Sequence, residues 1–329
     1  MSLLRIILAG LGALASAACA VLVLIPTLAP AALPDASEVV PGARGGFTPG
    51  NMRLVETTGI PATYRAHEEV PADFELRDGA AARAIVGGRE ATLDEIPGAV
   101  LVLSMFTDEV GRTGWAQCTG TLTTDLGPRH VLTAAHCCEE ATGRFDRFDV
   151  FYGAGSGGAS KGTMRRLSSA RCYVSPDYDP AVGVSGGGDI AVIELIEPAD
   201  LAPHEMARLA TLDEMRGVVE GDPVIVAGWG STKGGPTGGV DPSPVLKMAQ
   251  VAVRRPGLAD LVVGDVTGRV QGACQGDSGG SSRKGTDRRI VTGALSKTFI
   301  EGGGSCVQNG YRQVYTAAPL IRLTLGLVE

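Results

Sequence analysis

The chain has 329 residues, a formal net charge of −7 and 47 glycines, with 44% hydrophobic and 5% aromatic residues. That length supports two modest cores, and the acidic balance argues against a nucleic-acid partner. No internal repeat, P-loop or dinucleotide fingerprint occurs, and abundant glycine suits an all-β chain full of tight turns.

In chain order, Leu3 to Leu33 is almost wholly apolar, with Arg5 as its sole charge. Residues 1–31 therefore read as a secretory signal, with small-residue cleavage sites at Ala29-Pro-Ala31 and Ala15-Ser-Ala17. The run is longer than a usual signal core, so a membrane anchor through residues 3–33 is the main alternative. Cys19 would suit a lipoprotein signal, but Ser16-Ala-Ala-Cys19 lacks the usual leucine. Residues 32–84 follow, rich in Pro, Gly, Ala and charge from Asp35 onward, and are expected to be loosely ordered. His67 lies among them and is given no chemical role. Beyond them come short β-prone runs: Val100-Leu-Val102, His130-Val-Leu132, Asp189–Leu195, Pro223–Ala227 and Ile290-Val-Thr292. Gly and Pro turns separate them, which predicts antiparallel barrels or sandwiches.

The chemistry concentrates in Gln271-Gly-Ala-Cys-Gln-Gly-Asp-Ser-Gly-Gly280. Ser278 between glycines fits either a G-x-S-x-G nucleophile elbow or a G-D-S-G-G turn. A serine hydroxyl needs a neighbouring base, and the only histidines are His67, His130, His136 and His204. The elbow requires a histidine after the serine, and none follows Ser278. His136, in Val131-Leu-Thr-Ala-Ala-His-Cys137, is held by a β-prone run that ends in small residues. His130 reads as the solvent-side start of the same strand. Asp189 opens an apolar strand after Gly186-Gly-Gly188 and is the carboxylate best placed to orient an imidazole. An order of acid, base, serine would need Asp94, Asp108 or Asp125, none in a comparable context.

On these residues the chain resembles the chymotrypsin/trypsin family of serine endopeptidases, in its secreted, bacterial type. The match runs from Ile85 to about Leu325. It rests on Ile85-Val-Gly-Gly88, Thr133-Ala-Ala-His-Cys137, Asp189–Leu195, Gly228-Trp-Gly230, Cys274–Gly280 and, more weakly, Val314-Tyr-Thr316. The resemblance implies an all-β fold of two six-stranded antiparallel Greek-key barrels, dividing near 197–203, with a C-terminal helix over 319–327. Residues 85–329 would be the peptidase domain (barrels about 85–200 and 201–329) and 32–84 a propeptide. It further implies Ser278 as nucleophile, His136 as general base and Asp189 as its orienting acid, with the Gly276 and Ser278 amides as oxyanion hole. Losing one such donor typically costs about 3 kcal/mol. Cleavage before Ile85 would free an amine that pairs with Asp277, so the uncut chain would be a zymogen.

The family's pattern also pairs Cys118 with Cys137 and Cys274 with Cys306, leaving Cys138 with Cys172, a bridge at no common family position. A zinc reading of His136-Cys-Cys138 has the wrong spacing. The implied partners are protein or peptide substrates and protein inhibitors. The implied location is secreted or periplasmic, or membrane-anchored with the domain outside the cytoplasm. No cofactor is expected, nor a metal, since Gly153–Gly162 carries no carboxylate where many relatives bind calcium.

The chain departs from trypsin at the specificity pocket. Gly272, six residues before Ser278, stands where trypsin has its aspartate. Ser296-Lys-Thr298 replaces a serine-aromatic-glycine wall, and Gln313 replaces a glycine. A shallow pocket for small or medium uncharged residues is expected instead of Arg/Lys preference. Arg83-Ala84 precedes Ile85, so activation would not be tryptic and the enzyme could process itself. The rival readings are a non-catalytic homologue acting as a binding module, and an esterase.

Overall fold

The computed structural model describes residues 47–327 apart from 58, 61–63, 65, 67, 70–84, 108–110, 112, 140–144, 154–163, 232–242, 244, 266–269, 300–305 and 307–311. The apolar N-terminal run, His67 and residues 154–163 of the glycine-rich stretch thus lie outside the described residues. Among the described residues no helix is long and apolar enough to cross a membrane.

The strands begin with β1 (Arg53–Glu56), β2 (Glu68–Glu69), β3 (Arg89–Glu90), β4 (Ala99–Thr107), β5 (Thr113–Leu122) and β6 (His130–Thr133). Next come β7 (Arg147–Tyr152), β8 (Arg165–Ser169), β9 (Arg171–Val174), β10 (Ala191–Glu194) and β11 (Arg208–Leu209). After helix α1 (Leu212–Arg216) the chain forms β12 (Pro223–Gly228), β13 (Lys247–Arg255), β14 (Asp260–Gly264), β15 (Ser281–Lys284), β16 (Asp287–Phe299) and β17 (Arg312–Ala317). Helix α2 (Ala318–Thr324) ends it, starting one residue earlier and stopping three residues sooner than the expected 319–327.

These strands make two sheets. The first runs β1-β9-β10-β6-β5-β4-β7-β8-β2. Its β8 and β9 are two halves of one bent strand, interrupted only at Ala170, so a single segment takes the second place from each end of the curled sheet. The second runs β11-β16-β15-β12-β13-β14-β17, and pairing of β16 with β17 closes six antiparallel strands into a barrel. The architecture is the mostly-β, trypsin-like fold with a C-terminal helix.

Period-two side-chain geometry explains why the sequence shows continuous apolar runs where alternation would be usual. In β4, Val100 and Val102 enter the first barrel's core, while Ala99, Leu101 and Leu103 enter a second cluster with Ile225, Ala227 and Trp229. In β12 the partition repeats: Val224 and Val226 fill the second barrel, and Ile225 and Ala227 face the first. In β10, Ala191 and Ile193 point into the first core and Val192 into a seam shared with Leu209, Val291 and Ile321. Both faces are buried because each barrel packs on the other, so truncating Leu101 or Ile225 to Ala costs about 2–5 kcal/mol.

Three disulfides brace this body, with the pairings expected: Cys118–Cys137, Cys138–Cys172 and Cys274–Cys306. One expectation fails. Residues 47–57 are not loosely ordered; β1 pairs with β9 from Arg53↔Val174 to Glu56↔Arg171, and Phe47 and Met52 are buried in the seam. Composition did not forecast this because the strand is too short and exposed to show a periodic pattern.

Candidate active site

The site forms where the two barrels meet. β6 carries the chain to the seam, and a 3-10 turn, Ala135–Cys137, follows it. Cys137 and Cys138 are each bridged, so the two residues after His136 are fixed to β5 and β9. His136 then meets Asp189 twice. Its ring Nδ1 lies 2.9 Å from Oδ2 and its backbone N–H donates to Oδ1 at 3.0 Å. Such a pairing fixes both ring orientation and tautomer.

Asp189 is 1% exposed. Burial alone would raise its carboxyl, but the hydrogen bond and charge of His136, with the Ser296 hydroxyl, hold it below the ordinary carboxylate value. The Ser296 Oγ–H donates to Oδ2 at 2.7 Å. Ser296 can reach because the β16·β17 register slips between Leu295 and Lys297; a bulge of this kind re-aims a side chain. The sequence marked Ser296 only as a pocket wall, and its contact with Asp189 carried no sequence signal.

The serine segment packs directly against the histidine strand. The Ser278 carbonyl accepts Thr119 N–H at 2.8 Å, and Cys137 Sγ lies 3.7 Å from the same oxygen. A Cβ on Gly279 would stand 2.1 Å from Thr133 Oγ1 and 2.7 Å from Ala134 N. Gly276 has φ +88°, a conformation costly for residues with a Cβ. The Gln275 carbonyl accepts Ser231 N–H at 2.6 Å. A trans peptide points its N–H opposite its C=O, so the Gly276 N–H faces away from Ser231. Neither the Gly276 nor the Ser278 N–H has a partner among the described residues.

Asp277 points the other way, into the body, and is 0% exposed. Its oxygens accept Gly230 N–H at 2.7 Å and Cys274 N–H at 2.8 Å. Burial nevertheless pushes the carboxyl up to about 7, and no cation pairs with it among the described residues. The Gly228-Trp-Gly230 motif acquires a reason here. A Cβ on Gly228 would stand 2.2 Å from Asp277 Oδ1, and one on Gly230 2.5 Å from its Cγ.

Ile85 is buried next to this region with φ +50°, the one non-glycine residue at positive φ among those described. Val86 exchanges both backbone hydrogen bonds with Gly272, at 2.9 and 3.0 Å. A Cβ on Gly272 would stand 2.1 Å from Gln313 Nε2. Gln313 is 0% exposed, and among the described residues neither its Nε2 nor its Oε1 has a hydrogen-bond partner. Thr298 lies opposite Gln313 in the β16·β17 register. The Cys118, His136 and Cys137 ligand atoms also cluster, but both sulfurs are spent in one disulfide and offer no thiolate to a metal.

The sequence model of the Trypsin family matches residues 85–322. The chain is 29% identical over 257 residues to phenoloxidase-activating enzyme 1 of Spodoptera litura, covering 71% of this chain and 63% of that protein. It is 28% identical over 245 residues to a trypsin of Simulium vittatum, covering 70% and 87%. Among solved structures, neuropsin, a serine protease expressed in the limbic system of mouse brain, superposes with a TM-score of 0.55 at 22% identity, over 73% of this chain and 97% of that one. HL collagenase superposes at 0.53 and 21% identity, over 74% and 99%. The two sequence relatives are insect proteins and neuropsin is from the mouse, which lends no support to a bacterial type.

Proposed function

We propose that this chain, which belongs to the trypsin family, is an exported serine endopeptidase made as a zymogen and activated by cleavage before Ile85. The observation that carries the reading is the doubly bonded His136–Asp189 pair beside a serine loop whose two amides are unspent. An ionised Asp189 accepts a proton-bearing Nδ1, which leaves the Nε2 lone pair of His136 as the base. Ser278 Oγ attacks the scissile carbonyl as His136 Nε2 takes its proton, and the same nitrogen returns that proton to the leaving amine. Water then hydrolyses the acyl-enzyme by the reverse sequence. The Gly276 and Ser278 amides stabilise the oxyanion at both steps.

Activation follows from two features of the uncut chain. A β-branched residue at positive φ is strained by on the order of 1–3 kcal/mol, and Ile85 is such a residue. The φ restraint vanishes when the preceding peptide bond is cut. The freed α-amine is charged at neutral pH and supplies the cation that buried Asp277 lacks. An unpaired buried charge is costly, so amine and carboxylate order the serine loop together.

The pocket favours small or medium uncharged side chains before the scissile bond. Gly272 offers no charge to Arg or Lys, and the Gln313 side chain occupies the base. That preference suits cleavage after Ala84, and hence self-processing. The disulfide-bonded domain fits an extracellular setting. The test is hydrolysis of a peptide panel by protein cut before Ile85, with His136→Ala and Ser278→Ala as controls. Ala and Val peptides should be cleaved well above Arg peptides, and both controls should be silent. Strong preference for Arg would overturn the specificity, and absent hydrolysis throughout would favour a binding module.

A further inference from the structure

We propose that the segment upstream of the cut, from Phe47 to Glu69, stays seated on the body as a second, non-covalently held chain after cleavage before Ile85. The inference rests on that cleavage reading for its biological setting, but its argument is the way the first barrel closes. The bent strand 165–174 pairs with β7 through β8 on one side and with β10 through β9 on the other. Closure therefore leaves one side of β8 and one side of β9 open, each a row of unpaired backbone groups of the kind that recruits another strand. The upstream segment fills both. β1 pairs with β9 and β2 with β8.

Between these two pairings, Thr57, Gly59 and Tyr64 also bond to the body. The Thr57 N–H and Oγ1–H both donate to Ala170 O, at 2.9 and 3.2 Å, and Gly59 N–H donates to Asp146 O at 3.1 Å. The Tyr64 hydroxyl donates to Arg166 O at 3.0 Å, and the Arg166 guanidinium sits 5.1 Å from the Tyr64 ring centre. Arg53 grips Glu139 with two hydrogen bonds, at 3.0 and 2.5 Å.

The apolar anchor lies at the other end. Phe47 and Met52 are each 7% exposed and share a cluster with Leu132, Ile190, Leu209 and Ile321, drawn from both barrels and α2. Phe47 meets His130 and Tyr173 edge-on, with ring centres 5.0 and 5.7 Å apart. Its departure would expose this apolar cluster. No covalent tie crosses the cut. The chain's seven cysteines include one upstream of Ile85, Cys19, and the other six are paired with each other. Retention depends on non-covalent contacts: the strand pairings, the Phe47 anchor, the Arg53–Glu139 pair and the Thr57, Gly59 and Tyr64 hydrogen bonds.

The test uses the full chain as Ser278→Ala, with residues 78–84 replaced by a site for a specific protease that cuts before Ile85. After the cut, native size-exclusion chromatography with mass spectrometry of the peak should find the upstream fragment and 85–329 together, one to one. They should separate only in guanidinium. A Phe47→Ala, Arg53→Glu variant, cut after folding, should lose the fragment at least tenfold faster. Hydrogen exchange of the cut parent keeps the question decidable if that variant fails to fold: 171–174 should stay protected as in the uncut chain. Loss of the fragment on the native column, or deprotection of 171–174 on cutting, would overturn the proposal. The added protease makes retention readable whatever the wild-type activity. A cut wild-type chain that hydrolyses nothing counts against the proposed function and leaves this result standing.

Discussion

Replacing Asp277 by Asn should remove a pH dependence of stability from the uncut chain. The carboxyl is fully buried, accepts bonds from the Gly230 and Cys274 amides, and is pushed up to about 7 by burial. In the unfolded chain an aspartate titrates near 3.9. Between these values the folded protein holds a proton that the unfolded chain has released, so stability falls as pH rises. The contribution is complete below about pH 4 and lost as pH climbs through about 7. A gap of roughly three units at about 1.4 kcal/mol each gives on the order of 4 kcal/mol across the window. Other groups act differently. Glu95 and Glu214, held at about 2 by Arg89 and Arg208, give up stability only as pH falls below the ordinary glutamate value. His130, lowered by burial, acts in the opposite direction, adding stability as pH rises toward the ordinary histidine value. Both effects cancel in a comparison of two otherwise identical proteins. The assay is urea unfolding between pH 4.5 and 7.5 of Ser278→Ala protein with and without Asp277→Asn. The parent should lose several kcal/mol relative to the Asn variant as pH rises, and cutting before Ile85 should abolish that loss. Parallel pH profiles in the two uncut proteins would refute the argument, because Asp277 would then already be ionised and compensated.

Ser296→Ala should lower kcat about tenfold with little change in KM, since a hydrogen bond to a charged group is worth about 1.5–3 kcal/mol; unchanged kcat would remove Ser296 from the positioning of Asp189. Gln313→Gly should open the pocket base and raise kcat/KM for peptides with Phe or Tyr before the scissile bond by on the order of tenfold or more, relative to Ala peptides. An unaltered ratio would mean Gln313 does not limit the pocket. Replacing Cys138 and Cys172 together by Ala should cost about 2–4 kcal/mol in chemical unfolding, with a loss of activity from the released His136 loop; equal stability and activity would show that the Cys118–Cys137 bridge suffices.

The paired chemistry was legible in the sequence because it lies in local patterns. His136 and Asp189 each sit at the mouth of an apolar strand, and the order of His, Asp and Ser excluded a hydrolase elbow. Cys118–Cys137 and Cys274–Cys306 form as the family's pattern implied, and Cys138–Cys172 is the pair that this left over. What could not be read depends on distant register. Ser296 reaches Asp189 only through a slip between β16 and β17. The glycines of Gly228-Trp-Gly230 make sense only once Asp277 lies against them. β1 has four residues and one intermediate position among exposed ones, so no hydrophobic period announced that it would pair with a strand more than a hundred residues away.

The most direct measurement of the central claim is fluorophosphonate labelling followed by intact mass and peptide mapping, before and after cleavage at the Ala84–Ile85 bond. The account predicts one adduct per chain, at Ser278, fast in the cut protein and slow or absent in the uncut one, and none after His136→Ala. Equal labelling of uncut and cut protein would contradict activation through Ile85 and Asp277. No adduct in the cut protein would contradict the serine endopeptidase itself.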